Sequence, residues 1–150
     1  MGTPAIARIM DEDGDAIVCI FAQCDGFLED FGQEVVNFVV QRSVVNGLRD
    51  DNTLASNGLT ELAAHLVVAL KRDTMHGHIY LVPAKSKWDW AYRYTISPPQ
   101  KSGSLYVGSG GDLRIVVEDV LNTTGKPRKM YDGKVSGYAA FLQSLQHEEV

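Results

Sequence analysis

The sequence has few residues that cross-link a chain and no segment that could span a bilayer. It contains two cysteines and five prolines in 150 residues, and no uninterrupted apolar run approaches about 18 residues. Cys19 lies in an apolar run and Cys24 follows it, a spacing that fits neither a zinc knuckle nor a redox pair. A chain of this length buries enough surface to fold without a disulfide or a metal. We therefore expect reduced thiols and a single domain over residues 1–150.

The first residues also lack the features of a secretory signal. No basic stretch is followed there by a long apolar core, which such a signal requires. We therefore expect a cytoplasmic protein with no membrane partner.

Basic residues are fewer than acidic ones and are unevenly distributed. The chain has 14 lysines and arginines against 19 aspartates and glutamates, a net charge of −5. Residues 1–75 carry 5 basic and 12 acidic side chains, whereas residues 76–150 carry 9 and 7. The acidic balance argues against DNA, whose backbone attracts basic surfaces. A small anionic ligand remains compatible with the sequence, and we expect its contacts mainly in the second half.

Apolar periodicity predicts an α+β fold. Residues 3–10 and 16–23 are apolar on both alternations and flank an acidic Asp-Gly turn, which is typical of a β-hairpin. Helical spacing of apolar residues follows from Asp30 to near Asn46 and again over 59–72. Further strands are predicted at 79–82, 90–96, 105–107 and 113–117, and a last helix over 135–145. This order predicts a mainly antiparallel β-sheet with two central amphipathic helices and a C-terminal helix.

Three polar segments are predicted as helix caps or turns. Asp30 has Gln33 three residues later, the spacing of a capping box at a helix start. Residues 109–112 are rich in glycine but lack the ending of a phosphate-binding loop and precede a strand, so we expect a hairpin turn. Residues 126–129 are predicted as a basic turn before the last helix.

The sequence shows no strong catalytic or metal-binding pattern. His65 lies one helical turn after Glu61, which favours an ordinary contact over a pair of metal ligands. His76 and His78 share a strand face but have no evident third ligand. No serine or cysteine lies in a nucleophile elbow or in a cationic setting. We therefore expect no catalytic residue, no bound metal and no cofactor.

Aromatic and basic residues are concentrated between positions 85 and 114. The members of this aromatic-basic cluster are Lys85, Lys87, Trp88, Trp90, Tyr92, Arg93, Tyr94, Lys101 and Arg114. Aromatic rings stack on nucleobases for about 1–3 kcal/mol each, and arginines neutralise phosphates beside them. Alternation places Trp90, Tyr92 and Tyr94 on one strand face, so they also fit a core face with Arg93 in solvent. Both interpretations remain open from the sequence.

Several short motifs occur in an order that one family shares. They are Ile-x-x-Ile-Phe-Ala-Gln-Cys-Asp-Gly-Phe at 17–27, Phe31-Gly32-Gln33-Glu34 to Phe38, Asn46-Gly47, Asn57-Gly58-Leu59 with Leu62-Ala63-Ala64, Gly77-His78-Ile79-Tyr80-Leu81 and Tyr92-Arg93-Tyr94-Thr95-Ile96. In these motifs, residues 3–97 resemble the phage Thoeris anti-defence proteins, which sequester cyclic ADP-ribose signals made by TIR enzymes.

The resemblance implies a non-catalytic binder of a cyclic ADP-ribose isomer or a related cyclic nucleotide, acting in the cytoplasm of an infected bacterial host. It implies a homodimer or homohexamer with ligand at the subunit interfaces, and some relatives also capture cyclic oligonucleotides. For such a ligand we expect the binding residues Phe27, Asn57, Trp88, Trp90, Tyr92, Arg93 and Arg114. The aromatic rings would stack on adenine, the arginines would hold the phosphates, and Asn57 or Asn46 would bind ribose hydroxyls.

The sequence departs from the family pattern at three places. Pro4 and Ala22 stand where the family favours arginine, and Phe27-Leu28 replaces Tyr-Pro. If those arginines hold phosphate in the relatives, ligand choice or affinity differs in this chain. The Asp25-Gly26 turn is retained, and we expect a positive φ at the glycine.

Two other functions remain open from the sequence. One is a hydrolase of the same signals that uses His76, His78 and Asp89. The other is a protein-interaction module that docks a partner chain through the aromatic strand. The apolar second face of the hairpin formed by 3–10 and 16–23 is the expected contact with a partner subunit.

Overall fold

The computed structural model describes residues 2–47, 54–71, 78–85, 90–99, 104–120 and 126–148. They form an α+β fold with two sheets and three α-helices, as predicted. The strands are β1 (Ala5–Met10), β2 (Ala16–Ala22), β3 (Ser43–Val45), β4 (Ala55–Asn57), β5 (Ile79–Leu81), β6 (Tyr92–Ser97), β7 (Gly108–Ser109), β8 (Arg114–Asp119) and β9 (Arg128–Lys134). The helices are α1 (Gln33–Val40), α2 (Gly58–Lys71) and α3 (Tyr138–Glu148). Within the described segments, no helix has the length and apolar character needed to cross a membrane.

The larger sheet has six strands in the order β5-β2-β1-β6-β8-β9. Every neighbouring pair is antiparallel except β1 and β6, which run parallel. The predicted hairpin is confirmed, with Ala5 opposite Ala22 and Ile9 opposite Val18. The smaller sheet has the order β4-β3-β7. The prediction of a mainly antiparallel sheet is therefore confirmed.

The helices pack against one face of the six-stranded sheet. Alternation along β1 directs Ala5, Ala7 and Ile9 into this core, and it directs Ile6 and Arg8 to the opposite face. Helices α1 and α2 complete the core with residues that are fully buried, among them Val35, Val39, Leu62 and Leu66. We call the sheet face opposite this core the open face.

The first helix is shorter than predicted at both ends. A π-helical turn, Leu28–Gly32, precedes α1, and Phe27 is its N-terminal cap residue. Asp30 lies inside that turn, so the prediction that it caps the helix is wrong. The helix ends at Val40 rather than near Asn46, because Ser43–Val45 pairs with β4 and β7 in the smaller sheet.

Two segments predicted as turns take part in sheets. Gly108–Ser109 forms β7 and is followed by a 3-10 turn, Gly110–Asp112, in place of the predicted hairpin turn. The basic segment that begins at 126 leads into β9, an edge strand of the larger sheet, so the prediction of a turn over 126–129 is wrong. Residues 105–107, predicted as a strand, have no regular structure. The conformations of β7 and β9 are determined by long-range pairing with β3 and β8, respectively. Local sequence patterns do not reveal such pairing.

The Asp25-Gly26 turn has a different conformation from the one expected. The positive φ belongs to Asp25, at 58°, and not to Gly26. Glycine is required at 26 for space, because a Cβ there would lie 2.5 Å from the Cβ of Ala5 and 2.6 Å from the carbonyl oxygen of Thr3. The Gly26 N–H donates to that same oxygen at 2.7 Å. The turn is thus held tightly against the start of β1.

Two buried tyrosines anchor the segment that follows this turn. The Tyr94 hydroxyl donates to the carbonyl of Gly26 at 2.9 Å, and the Tyr138 hydroxyl donates to the carbonyl of Leu28 at 2.6 Å. Both side chains are fully buried, and burial raises the pKa of each phenol well above its usual value. The two rings therefore join β6 to the Asp25-Gly26 turn and α3 to the π-helical turn.

We expect these tyrosines to limit stability at alkaline pH. A phenol whose pKa is raised in the folded state contributes stability below about pH 10, and that contribution is lost as the pH rises further. In a spectrophotometric titration, two of the six tyrosines should ionise only when the protein unfolds. The Tyr94→Phe variant should leave one such tyrosine. Ionisation of all six tyrosines before any loss of circular dichroism would contradict this expectation.

Candidate functional site

The open face of the six-stranded sheet carries an ordered arrangement of side chains. Strand register places one row across it, composed of Tyr80, Phe21, Ile6, Arg93, Glu118 and Lys129. The next row is composed of Cys19, Arg8, Thr95, Val116 and Asp132. The face thus runs from an aromatic edge at β5 to a charged edge at β9.

Two ion-paired groups occupy the β6, β8 and β9 part of the open face. Arg93 binds Glu118 through two hydrogen bonds, from Nε at 2.9 Å and from Nη2 at 3.0 Å. Arg114 binds Asp132 in the same way, at 2.7 and 2.6 Å, and Lys129 reaches that carboxylate at 3.0 Å. Hydrogen bonds from Arg114 and Lys129 hold the pKa of Asp132 well below its usual value. These arginines are therefore already partly neutralised.

Arg8 lies next to these pairs and differs from them. Its Nε and Nη2 donate to the hydroxyl of Thr95 at 3.2 and 3.0 Å. Among the described residues, no carboxylate forms an ion pair with it. Burial, together with the positive charge of Arg93, lowers the pKa of the Arg8 guanidinium. The side chain is a half-buried cation whose charge is not balanced by a direct partner.

Among the described strand residues, the cations on the open face outnumber the carboxylates. By register, Arg8, Arg93, Arg114, Lys129 and Lys134 share this face with Glu118 and Asp132. Lys134 also approaches Asp112, with 3.5 Å between Nζ and Oδ1. This part of an acidic protein therefore has a local positive charge, which favours anions.

The opposite edge of the open face is aromatic. The rings of Phe21 and Tyr80 pack with centroids 6.2 Å apart, and Tyr80 is 42% exposed at the edge strand. The Lys71 ammonium lies 5.9 Å from the centre of the Tyr80 ring, and the Tyr80 hydroxyl donates to Gln23 at 3.2 Å. An exposed ring flanked by a cation is suited to stacking on a planar ligand.

The apolar residues on the open face are buried within the single chain. Ile6, Cys19 and Phe21 are each less than 5% exposed. Cys19 packs inside the chain, and burial raises the pKa of its thiol. These three residues lie on the second face of the hairpin, where a partner subunit is expected, and they are already covered within one chain.

The structure separates several of the predicted ligand-binding residues. Tyr92 and Tyr94 face the core, and Tyr94 is fully buried there, whereas Arg93 faces the open side. Trp90 precedes β6, and its indole Nε1 is buried with no hydrogen-bond partner among the described residues. Trp88 lies outside the described residues. Arg93 and the tyrosines beside it thus cannot contact one ligand on the same face.

The other predicted residues occupy three separate places. Phe27 is exposed at the start of the π-helical turn. The Asn57 side chain accepts a hydrogen bond from the Gly47 N–H at 2.9 Å, and it lines a small cavity of about 120 Å³ that Asn46 also lines. Arg114 is on the open face, two residues along β8 from Val116. Arg93 and Arg114 are therefore the predicted residues that the structure places on one surface.

A larger cleft of about 630 Å³ lies on another part of the molecule. Its lining includes four carboxylates, from Asp25, Glu29, Asp30 and Glu34. His78 also borders this cleft, but His76 and Asp89, the other residues of the hydrolase hypothesis, lie outside the described residues. Such a concentration of carboxylates repels phosphate groups. The open face is the better candidate for an anionic ligand.

His65, on α2, contacts two neighbouring side chains. Its Nδ1 lies 2.7 Å from Arg42 Nη2 and 2.9 Å from the Ser56 hydroxyl, so it is held by these groups rather than by Glu61. The Glu61 carboxylate accepts from the Asn57 N–H at the start of α2. Across the part of the chain that the structure describes, no group of three or more His, Cys, Asp or Glu residues could hold a metal.

Comparisons of the chain with protein-family models, with curated proteins and with solved structures found no match. Arg8 was not among the predicted site residues. Its signal in the sequence is a single charged residue inside the otherwise apolar strand Ala5–Met10.

Proposed function

We propose that the chain is a non-catalytic protein that binds and sequesters a cyclic ADP-ribose isomer or a related cyclic nucleotide in the cytoplasm of an infected bacterial host. The observation that carries this proposal is the cationic open face with an aromatic edge, on a protein of net charge −5. A cyclic ADP-ribose isomer needs cations for its phosphates and an aromatic ring on which its base can stack. The resemblance to the Thoeris anti-defence proteins points to the same class of ligand.

The shape of the open face favours a small ligand over a long polyanion. The cations lie on four consecutive strands about 4.8 Å apart, so they span roughly 15 Å across the sheet. Duplex nucleic acid requires basic contacts along an extended surface, and the acidic remainder of the protein opposes this. The open face therefore suits a ligand with one or two phosphates.

Assembly as a homodimer or homohexamer is part of the proposal and rests on the resemblance. Native mass measurement of the purified protein, with and without cyclic ADP-ribose, tests it. A monomer in both conditions would contradict the proposed homodimer or homohexamer. Ligand binding is tested separately, by the experiment below.

Replacing Tyr80 tests the proposed function. We expect Tyr80→Ala to weaken cyclic ADP-ribose binding about tenfold in a calorimetric titration, because loss of one stacking ring costs about 1–3 kcal/mol. Tyr80→Phe should retain most of the affinity.

The matched control is Leu81→Ala. Leu81 is the next residue of the same strand, it is 61% exposed, and its side chain points to the other side of the sheet. Its replacement should leave the affinity unchanged. Absence of cyclic ADP-ribose binding by the wild-type protein, or equal effects of the two alanine variants, would contradict the proposed role of the open face.

A further inference from the structure

We propose that Arg8, with Arg93 beside it, forms a binding subsite for a phosphate or diphosphate group at the centre of the open face. The identity of the molecule that carries the phosphates rests on the proposed function, but the subsite itself does not. The hydrogen bonds of Arg8, its burial and its position in the sheet all indicate the subsite.

Arg8 has unused hydrogen-bonding capacity. A guanidinium has five N–H donors in a planar fork. Two Arg8 nitrogens donate to one acceptor, the neutral hydroxyl of Thr95, at 3.2 and 3.0 Å. The Thr95 hydroxyl also fixes the direction of the guanidinium, so the group is oriented before a ligand arrives. The remaining N–H groups match the paired oxygens of a phosphate.

The surroundings of Arg8 explain why an anion would be bound there. The guanidinium is partly removed from water, and the cation of Arg93 disfavours its charge more than the carboxylate of Glu118, which is bound to Arg93, favours it. A partly buried charge without a direct counter-ion has an unfavourable free energy, which a bound anion would offset. On the same face, Arg93 and Arg114 each have a carboxylate within 3.0 Å and gain less from an added anion.

The position of Arg8 favours a diphosphate over an isolated carboxylate. Arg8 is opposite Thr95, and Ile6, two residues earlier in β1, is opposite Arg93. The two arginines are therefore diagonal neighbours on adjacent strands. Arg93 uses Nε and Nη2 for Glu118 and keeps other N–H groups for a second phosphate. Two adjacent phosphate groups would meet two adjacent guanidinium groups.

The test uses inorganic pyrophosphate as the probe and thermal unfolding as the measurement. Pyrophosphate should raise the unfolding midpoint of the wild-type protein, since a ligand that binds the folded state stabilises it. In Arg8→Met, whose side chain has a similar length without the charge, the apparent pyrophosphate affinity should fall about 30-fold or more. The midpoint of the ligand-free variant should be unchanged or higher, because an unbalanced buried charge is removed.

Two further variants keep the test decisive. Arg128→Met removes a cation that is paired with Asp119 and lies by register on the other side of the sheet, and it should retain nearly all of the pyrophosphate affinity. Arg8→Lys keeps the charge but not the fork, and it should retain part of the affinity. If Arg8→Met binds pyrophosphate as the wild type does, or if Arg128→Met loses as much affinity as Arg8→Met, the subsite is wrong.

The outcomes separate the subsite from the proposed function. Pyrophosphate binding that depends on Arg8, without cyclic ADP-ribose binding, would support the subsite and contradict the proposed function. Cyclic ADP-ribose binding by the wild type, together with pyrophosphate binding that is unchanged in Arg8→Met, would contradict the subsite and leave the proposed function supported.

Discussion

Alanine at position 110 is expected to lower the free energy of unfolding by about 3 kcal/mol, because Gly110 packs directly against backbone atoms. A Cβ there would collide with the carbonyl oxygen of Val39 and would lie 3.1 Å from that of Arg42. The Gly110 N–H donates to the Arg42 carbonyl at 2.8 Å, so moving the turn away would also lose this bond. Chemical denaturation of Gly110→Ala measures the loss.

The adjacent glycine provides the control. A Cβ at Gly111 would have side-chain neighbours, with Ser136 Cβ at 3.3 Å and Val40 Cγ2 at 3.4 Å. These atoms can move slightly, so Gly111→Ala should cost less than about 1 kcal/mol. Equal losses in the two variants would show that the close approach to the end of α1 does not determine stability.

Methionine in place of Arg42 is expected to have a comparable effect, about 3 kcal/mol. The Arg42 side chain is 9% exposed and joins three elements of the fold. Its Nη2 donates to the Ala55 carbonyl and contacts His65 Nδ1 at 2.7 Å, and its guanidinium lies 5.3 Å from the centre of the Phe38 ring. Methionine fills the space but leaves buried acceptors without this donor.

A double mutant separates the buried contacts from packing. Adding His65→Leu to Arg42→Met should cost less than the sum of the two single changes, because the second change removes an acceptor that the first left unsatisfied. Arg128→Met is the surface control. Arg128 is 66% exposed and 3.5 Å from Asp119, so its loss should cost less than about 0.5 kcal/mol. A loss in Arg42→Met no larger than that in Arg128→Met would contradict the structural role of Arg42.

Much of the fold was predictable from the sequence because its elements have strong local signals. The hairpin β1–β2 follows from two apolar segments around an acidic Asp-Gly turn, and α2 follows from apolar residues at helical spacing. The strands β3 and β7 have three and two residues, too short for any periodicity to reveal. The strand β9 is polar, and its backbone pairing with β8 determines its conformation. Pairing partners of this kind are not encoded locally.

The candidate site was predictable in its chemistry but not in its position. The alternation at 92–96 identified one face with aromatic residues and one with Arg93. It could not show which face meets the helices, because that depends on the packing of Tyr94 against Phe31, whose ring lies 5.9 Å away. Arg8 was overlooked because a lone arginine in an apolar strand has no motif. Its importance follows from the absence of a carboxylate partner among the described residues, which only the three-dimensional structure reveals.

The most direct test of sequestration is the recovery of intact ligand from the protein. The protein is incubated with cyclic ADP-ribose, separated from free ligand, denatured by heat, and the released material is identified by mass spectrometry. We predict that intact cyclic ADP-ribose is recovered in a fixed ratio to protein and that Arg8→Met releases far less. Recovery of a cleaved product would indicate a hydrolase, and recovery of no nucleotide from the folded wild-type protein would contradict sequestration.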